Sequence, residues 1–449
     1  MDAQDKPILV AAAFNSPGHT TGLLTIAEHL VKRGFRLYFI AGPGYQAAIE
    51  QIGAEFVKNE WAWEPLVATA PPDADEPWFF KHVFGDSVPV AHRILKETLE
   101  RVRREHPDRE VVILNESMSG GLGPFCYGAP LPEGYASLPK AITFHTSIYV
   151  ATDYNVPPFG PALDYDPTPE NLALWRSTYD AMRPIWTGVS EYYSDRLFKP
   201  LGATRPVTEP FFDFILGLGD VTVLATSPSL EYPIHNKPSR LRFIGGLPAK
   251  PPDPAFIYPA WWPTITTNAA LPEGSPDRRK LVFVTQGTAH CNYADLLIPT
   301  IRALAGRADL LVVATLGRHG TALDSGVALP ANAIVVDYLP YNAILPYTDV
   351  FVSNAGYGGF MHGVMNGGPM VLAGTAADKG EVSCRGEYAG MAVNLRAQAP
   401  GEDAIAAAVD KVLKEEKFKA RAMEFKRENE ELDALGSFER IIEELVGKQ

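Results

Sequence analysis

Short apolar runs alternate with amphipathic stretches along most of the chain. Pro7 to Phe14 is continuously apolar, the pattern of a strand buried on both faces. Turn residues at Asn15 to Gly18 follow. Leu23, Ala27, Leu30 and Val31 then recur at helical spacing until Gly34. Phe35 to Ala41 predicts the next strand. A charged helix from about Val90 to His106 leads to a strand at Val111 to Leu114, and Ala141 to Phe144 and Ile185 to Val189 repeat the short apolar run. Between Gly245 and Arg279 the rhythm stops. Prolines 248, 251, 252, 254, 259, 263, 272 and 276 predict an extended linker over 246–279. The rhythm resumes with strands at Leu281 to Thr285, Leu310 to Thr315, Ala333 to Val336, Val350 to Val352 and Met370 to Leu372. A helix is expected at Ala294 to Ala305, and Ala404 to Val446 is helical and highly charged. Strands alternating with helices predict the α/β class: two Rossmann-like, doubly wound parallel-sheet domains facing a cleft. The expected domains are 1–245 and 280–419, with a final helical segment at 420–449.

Composition narrows the class. At roughly 150 residues per domain, 449 residues suit two or three domains, and 46% hydrophobic residues are enough for full cores. A net charge of −13, from 40 basic and 53 acidic residues, argues against nucleic acid or anionic membrane as partner. No apolar run reaches the roughly 18 residues of a membrane span. The N-terminus lacks the pattern of a signal peptide, so a cytoplasmic location is expected. Cys126, Cys291 and Cys384 are too dispersed for a disulfide framework or a zinc motif.

Four segments carry candidate chemistry. In "FNSPGHTTGLL", His19 sits where the chain leaves the first strand for a helix, the edge at which open α/β sheets bind ligands. In "VILNESMSGG", Glu116 follows a strand of the same sheet and suits the orientation of a basic histidine. In "VTQGTAH", Gly287 permits close backbone approach and Thr288 offers a hydroxyl and an amide to a phosphate. The last and most informative is "VVDYLPYNAILPYTDVFVSNAGYGGFMHGVMNGGPMVLAGTAADKGE". There Asn354, Gly356, Gly358 and Gly359 make a glycine-rich turn into a helix, an arrangement that cradles a diphosphate. Asp378 and Lys379 follow, the acid well placed to accept hydrogen bonds from sugar hydroxyls. Asp73 to Asp75 and Asp164 to Asp166 imitate a metal-binding D-x-D, but they lie in proline-flanked loops and no metal is expected there. The pair His290 and Cys291 lacks further ligands. Aromatic residues at Trp61, Trp63, Trp78, Phe79, Phe80 and Phe84, and His145, Tyr149, Tyr154 and Phe159 after a strand, are candidates for either core or the wall of an apolar pocket.

These motifs together resemble the family 1 glycosyltransferases of GT-B fold, which use UDP-sugars, closest to microbial macrolide- and sterol-type members. The resemblance runs over nearly the whole chain and is most specific in the long C-terminal block. It implies an N-terminal domain for the acceptor, a C-terminal domain for the donor, and a last helix that returns to the N-terminal domain. His19 matches the general base and Glu116 the place of the aspartate that steadies it. Gly18, Gly287, Thr288, Asn354, Gly356, Tyr357, Gly358 and Gly359 fall on donor positions around the diphosphate. Tyr338, with Leu339 beside it, matches the aromatic stacked on uracil. Asp378 and Lys379 match an acid–glutamine pair that holds the sugar. Trp78, Phe79, Phe84, His145, Tyr149 and Phe159 fall where the acceptor is expected. The implied reaction is inverting and metal-free, with a UDP-sugar, UDP-glucose by family frequency, as co-substrate and no cofactor. A phenolic, polyketide or terpenoid acceptor, glycosylated at oxygen or at carbon, fits this picture. The chain departs from the family pattern at Asn354 (usually histidine), Tyr338 (usually tryptophan), Gly358 and Gly359 (usually asparagine and serine) and His362 (usually a ribose-binding glutamate). Those departures leave open a protein that binds sugar nucleotide or metabolite without turnover. A nucleotide-sugar epimerase is the other alternative.

Overall fold

The computed structural model describes residues 6–252, 255–287 and 292–447. The first half forms a seven-stranded sheet from β1 (Ile8–Ala12), β2 (Leu37–Ala41), β3 (Glu55–Lys58), β4 (Val111–Glu116), β5 (Lys140–His145), β6 (Val221–Leu224) and β7 (Leu241–Phe243). Their spatial order is β3-β2-β1-β4-β5-β6-β7, with every pairing parallel. The second half forms a six-stranded parallel sheet from β8 (Lys280–Thr285), β9 (Leu310–Thr315), β10 (Ala333–Val336), β11 (Val350–Ser353), β12 (Met370–Leu372) and β13 (Ala392–Asn394), ordered β10-β9-β8-β11-β12-β13. In each sheet the chain order reverses beside the first strand of that half. The reversals open crevices between β1 and β4 and between β8 and β11, where open α/β sheets take their ligands. Apolar side chains cover both faces of both sheets. This is why the central strands read as unbroken apolar runs rather than alternating ones.

Several sequence expectations change in detail. Ile185 to Val189 is not a strand; it lies in the helix Pro169–Tyr192, where Trp175, Trp186, Val189 and Ser190 are the buried positions. A five-residue apolar run suits a buried helix as well as a buried strand, and length decides between them. Glu116 ends β4 instead of following it. The strands β3, β7 and β13 carry little apolar signature, because they are short and lie at the sheet edges, whereas β6 is apolar and buried but only four residues long. The proline-rich stretch contains a helix, Trp262–Ala270. The C-terminal region divides into helices Glu402–Lys414, Lys417–Glu431 and Ala434–Val446.

The last helix packs Phe438, Ile441 and Ile442 onto the first sheet, although it follows the second in sequence. Glu439 on that helix meets Lys6, His29 and Arg33 of the first half. Where the chain leaves the first half, Gly245 holds φ +84°, and a Cβ there would collide with the Asn429 carbonyl. The buried Asn429 side chain accepts from Gly246 N (2.8 Å) and donates to Phe425 O (2.7 Å) and Ser227 Oγ (3.2 Å). Asn429→Ala strands the Gly246 amide and is expected to cost about 1–3 kcal/mol, read as a lower midpoint in chemical denaturation. An unchanged midpoint would mean that water replaces the amide.

Candidate active site

The helix Pro17–Lys32 leaves β1 with Ser16 in extended backbone and Pro17 in its first turn, which sets His19 over the β1–β4 crevice. His19 Nδ1 stands 2.8 Å from Glu116 Oε1. The extra methylene of glutamate is accommodated because Glu116 is the terminal residue of β4 and is fully buried. Phe14 N donates to Glu116 Oε2 (3.3 Å) and Met118 N to Oε1 (3.1 Å). Burial opposes charge on Glu116, but the His19 charge and hydrogen bond and these two amides prevail and hold its carboxyl below the ordinary range. For His19, burial likewise opposes the charged form, and Glu116 outweighs it, so its pKa stands above the ordinary 6.5. Nδ1–H therefore points at Glu116, and Nε2 is the nitrogen that can take a proton. Gly18 lies one residue earlier with open space where a Cβ would stand.

Thr146 and Ser147, in the loop after β5, complete this corner. Thr146 Oγ1 lies 3.2 Å from His19 Nδ1 and 3.3 Å from Glu116 Oε1. Ser147 Oγ donates to Asp378 Oδ2 at 2.7 Å, which brings the expected sugar-binding acid of the second half to the histidine of the first. Asp378 starts the helix Lys379–Tyr388 and adds to the field that raises the His19 pKa.

On the second sheet, two turns meet at the ends of β8 and β11. Gly287 holds φ +70°; Thr288 lies outside the described residues. Asn354 Nδ2 donates to Gln286 O at 2.7 Å and so ties these turns together. Ala355 (φ +59°) and Ala377 (φ +53°) hold left-handed backbone at this edge, a cost characteristic of ligand turns. Gly374 (φ +105°) separates them: a Cβ there would lie 2.8 Å from Asn354 O and 3.2 Å from Lys379 Cδ. The buried Lys379 side chain thus runs beside the Asn354 turn, and burial lowers its pKa. Gly356 caps the helix Tyr357–Met365, whose first residues include Gly358 and Gly359, so its amides open toward the crevice. His362 Nδ1 donates to Asn342 Oδ1 (3.2 Å); burial lowers its pKa, which leaves Nε2 as an acceptor. The Tyr338 ring packs on His319 with centroids 4.2 Å apart.

Phe84 borders the His19 ring at 5.6 Å and stacks on Phe80, which meets Phe212, which in turn meets Phe159. Phe159 also lines a shallow open cavity with Val150, Met182 and Trp186. Trp78 packs on Phe79 and His82 nearby. Tyr149 lines a neighbouring cavity beside Glu231 and Arg385. Three expected contacts are corrected. His145 is buried, and both its ring nitrogens are engaged by protein atoms, so it stands behind Glu116 and not in the acceptor wall. The Leu339 side chain is core of the second sheet. The Tyr357 ring packs in the same core with its hydroxyl beside Thr226, leaving only its backbone at the turn. Of the acidic decoys, Asp75 caps the helix Glu76–Phe79 and Asp164 pairs with Arg396. Among the described residues no cluster of three metal-ligating side chains occurs.

The family model described as UDP-glucoronosyl and UDP-glucosyl transferase matches residues 203–430. The chain is 39% identical to UDP-glucosyltransferase 1 of Beauveria bassiana, over 97% of this chain and 94% of the relative. The chain belongs to the UDP-glycosyltransferase family. It is also 30% identical to UDP-glucosyltransferase B1 of Starmerella bombicola, over 99% of this chain and all of that one. The solved glycotransferase of kitacinnamycin superposes with TM-score 0.71 at 20% identity, covering 98% of this chain and 99% of that one. The fold is therefore GT-B, and the chain is a UDP-dependent glycosyltransferase of the microbial natural-product type that transfers sugar from a UDP-sugar. No helix among the described residues is long and apolar enough to cross a membrane.

For a glycosyltransferase of this family, sequence reasoning passed over Thr146, Ser147, Gly374 and the seam of Glu231, Glu381 and Arg385. The only signal for the first two was their place directly after β5, beside residues already singled out. The seam pairs residues 154 positions apart and left no local mark.

Proposed function

We propose that this chain is an inverting glucosyltransferase that uses UDP-glucose and a small apolar or aromatic acceptor, with His19 as general base. The observation that carries the proposal is the 2.8 Å contact of His19 with a buried Glu116, next to an Asp378 delivered from the other half. His19 Nε2 takes the proton of the acceptor hydroxyl as its oxygen attacks the anomeric carbon. Glu116 holds the Nδ1–H tautomer and stabilises the imidazolium. UDP departs from the opposite face, so configuration inverts. The amides at 356–359 and the Lys379 cation suit the charge that develops on the diphosphate. Asp378 accepts from sugar hydroxyls, Tyr338 stacks on the base and His362 Nε2 accepts one ribose hydroxyl. Residues 1–245 serve the acceptor and 280–419 the donor, with 246–279 joining them; in 420–449, Ala422 and Phe425 pack into the second half and Phe438, Ile441 and Ile442 brace the first. The apolar wall through Phe84, Phe80, Phe212 and Phe159 favours a flat, apolar acceptor. Relatives that bear the name UDP-glucosyltransferase support glucose as the sugar.

The test is mass spectrometry after incubation with UDP-glucose and phenolic, polyketide and terpenoid acceptors. A hexose gain supports the proposal. Tight UDP-glucose binding without product from any acceptor would favour a binder. The pH profile adds a check. Because the His19 pKa is raised above 6.5, its basic form is reached only above that value, and the acid limb of kcat/KM should lie higher than 6.5. Glu116→Gln removes the carboxylate that raises it, so the limb should move to lower pH along with a drop in rate. A limb that stays in place in Glu116→Gln would separate Glu116 from the base.

A further inference from the structure

Behind the His19–Glu116 pair lies a second buried pair, Ser117 and His145. Ser117 is held in the turn after β4 by its own amide, which donates to Phe144 O at 3.0 Å. Its hydroxyl stands between two partners, 3.1 Å from Glu116 Oε1 and 3.0 Å from His145 Nδ1. It has one proton, so it can donate to only one of them. The other ring nitrogen of His145, Nε2, lies 3.0 Å from the Ile148 carbonyl, which can only accept. Nε2 therefore carries hydrogen. Burial drives the His145 pKa down to about 4, so the ring stays neutral near pH 7 and Nδ1 is bare. A bare Nδ1 at 3.0 Å needs a donor, and the Ser117 hydroxyl is placed to supply it. Glu116 Oε1 already receives His19 Nδ1–H and Met118 N–H, with Thr146 Oγ1 also in range.

We infer that His145 is a positioning residue for the proposed base: it draws the Ser117 proton away from Glu116, leaving an oxygen lone pair facing the carboxylate, and so keeps His19 more basic. This rests on His19 being the base. The lone pair raises the proton affinity of Glu116, and a more basic carboxylate binds the Nδ1–H of an imidazolium more strongly. The charged or titratable groups that face this corner are His19 from the first helix, Glu116 from β4, His145 from β5 and Asp378 from the second half. Of these, Glu116 and His145 are the two within hydrogen-bond range of the Ser117 hydroxyl, at 3.1 and 3.0 Å.

The opposite arrangement, with Ser117 donating to Glu116, predicts the opposite sign, so the two are separable. The experiment is an NMR titration of His19 in full-length protein labelled with ¹³C-histidine and assigned with His19→Gln. It needs no substrate, and a failure of the transferase reading leaves it interpretable. Ser117→Ala removes the lone pair and should lower the His19 pKa, by roughly half to one unit. His145→Phe frees the Ser117 hydroxyl to donate to Glu116 and should lower it further. His145→Asn, which keeps an acceptor for Ser117 and a donor for Ile148 O, should bring it back toward the parent value. In the Ser117→Ala background His145→Phe should produce no additional shift. A rise of the His19 pKa in Ser117→Ala, or no change in either single variant, overturns the inference. If His145→Phe does not fold, the sign of the Ser117→Ala shift decides alone. A parallel move of the acid limb of kcat/KM would carry the same result into catalysis.

Discussion

His19→Ala is expected to lower kcat/KM by about 10²- to 10⁴-fold, the range for losing a positioned general base. The variant keeps the fold, because His19 is only half-buried and its ring borders Phe14 and Phe84 at the rim of the first core. On the proposed mechanism it loses the acceptor of the nucleophile's proton, and it loses the hydrogen-bond partner of the buried Glu116. Donor binding should survive, since the turns proposed to hold the donor, at Gly287 and 354–359, belong to the second sheet. Steady-state kinetics together with calorimetric titration of UDP therefore separates the two effects. A near-parental rate with intact UDP affinity would remove His19 from the chemistry. A loss of UDP affinity equal to the loss of rate would point instead to a disturbed cleft.

Arg385→Met is expected to destabilise the protein by about 3–5 kcal/mol, the range for breaking a buried ion pair from one side. Arg385 Nε donates to Glu231 Oε2 at 2.6 Å, Nη1 lies 3.4 Å from Glu381 Oε2, and Nη2 donates to Tyr149 O at 3.2 Å. Its guanidinium also sits over the Tyr232 ring, 4.4 Å from the centroid. Glu231 belongs to the first half, whereas Arg385 and Glu381 share the helix Lys379–Tyr388. Glu381 in turn accepts Gly160 N and Ala162 N from the first half. The substitution leaves two buried carboxylates facing each other without a cation. Chemical denaturation followed by far-UV circular dichroism measures the loss. Adding Glu231→Gln should restore part of it, because one of the two charges is then gone. A change below about 1 kcal/mol would place the seam among solvated ion pairs. The same helix begins at Asp378, so the seam also helps hold the Asp378–Ser147 contact in place.

The correspondence between chain and fold has a physical pattern. Pro7 to Phe14, Leu310 to Thr315 and Met370 to Leu372 were legible as strands because central parallel strands are apolar on both faces; Ala333 to Val336 was legible by its apolar run although it is the half-buried edge strand β10. The edge strands Glu55–Lys58 and Ala392–Asn394 were not, because an edge needs fewer apolar residues and solvent tolerates its polar ones. Ile185 to Val189 misled because a short apolar run has no period of its own; the 24-residue helix around it is decided by Trp175 and Trp186 packing at helical spacing. His145, Leu339 and Tyr357 sit within a few residues of the site, yet their side chains point into cores. Proximity in sequence does not fix direction at the end of a strand.

Local patterns in the chain were enough for the α/β class, the two sheets, the glycine turn at 356–359 and the two candidate residues His19 and Glu116. All of these follow from local patterns: apolar runs, turn residues, and the rule that polar side chains at strand ends face the ligand edge. Three-dimensional packing alone brings Glu116 against His19, lets Ser147 donate to Asp378, sets Ser117 between Glu116 and His145, and closes a seam between Arg385 and Glu231. Each of these contacts joins residues brought together by sheet order or by the meeting of the two halves. Their geometry depends on tenths of an ångström in the packing of distant segments, and no local pattern in the chain encodes that.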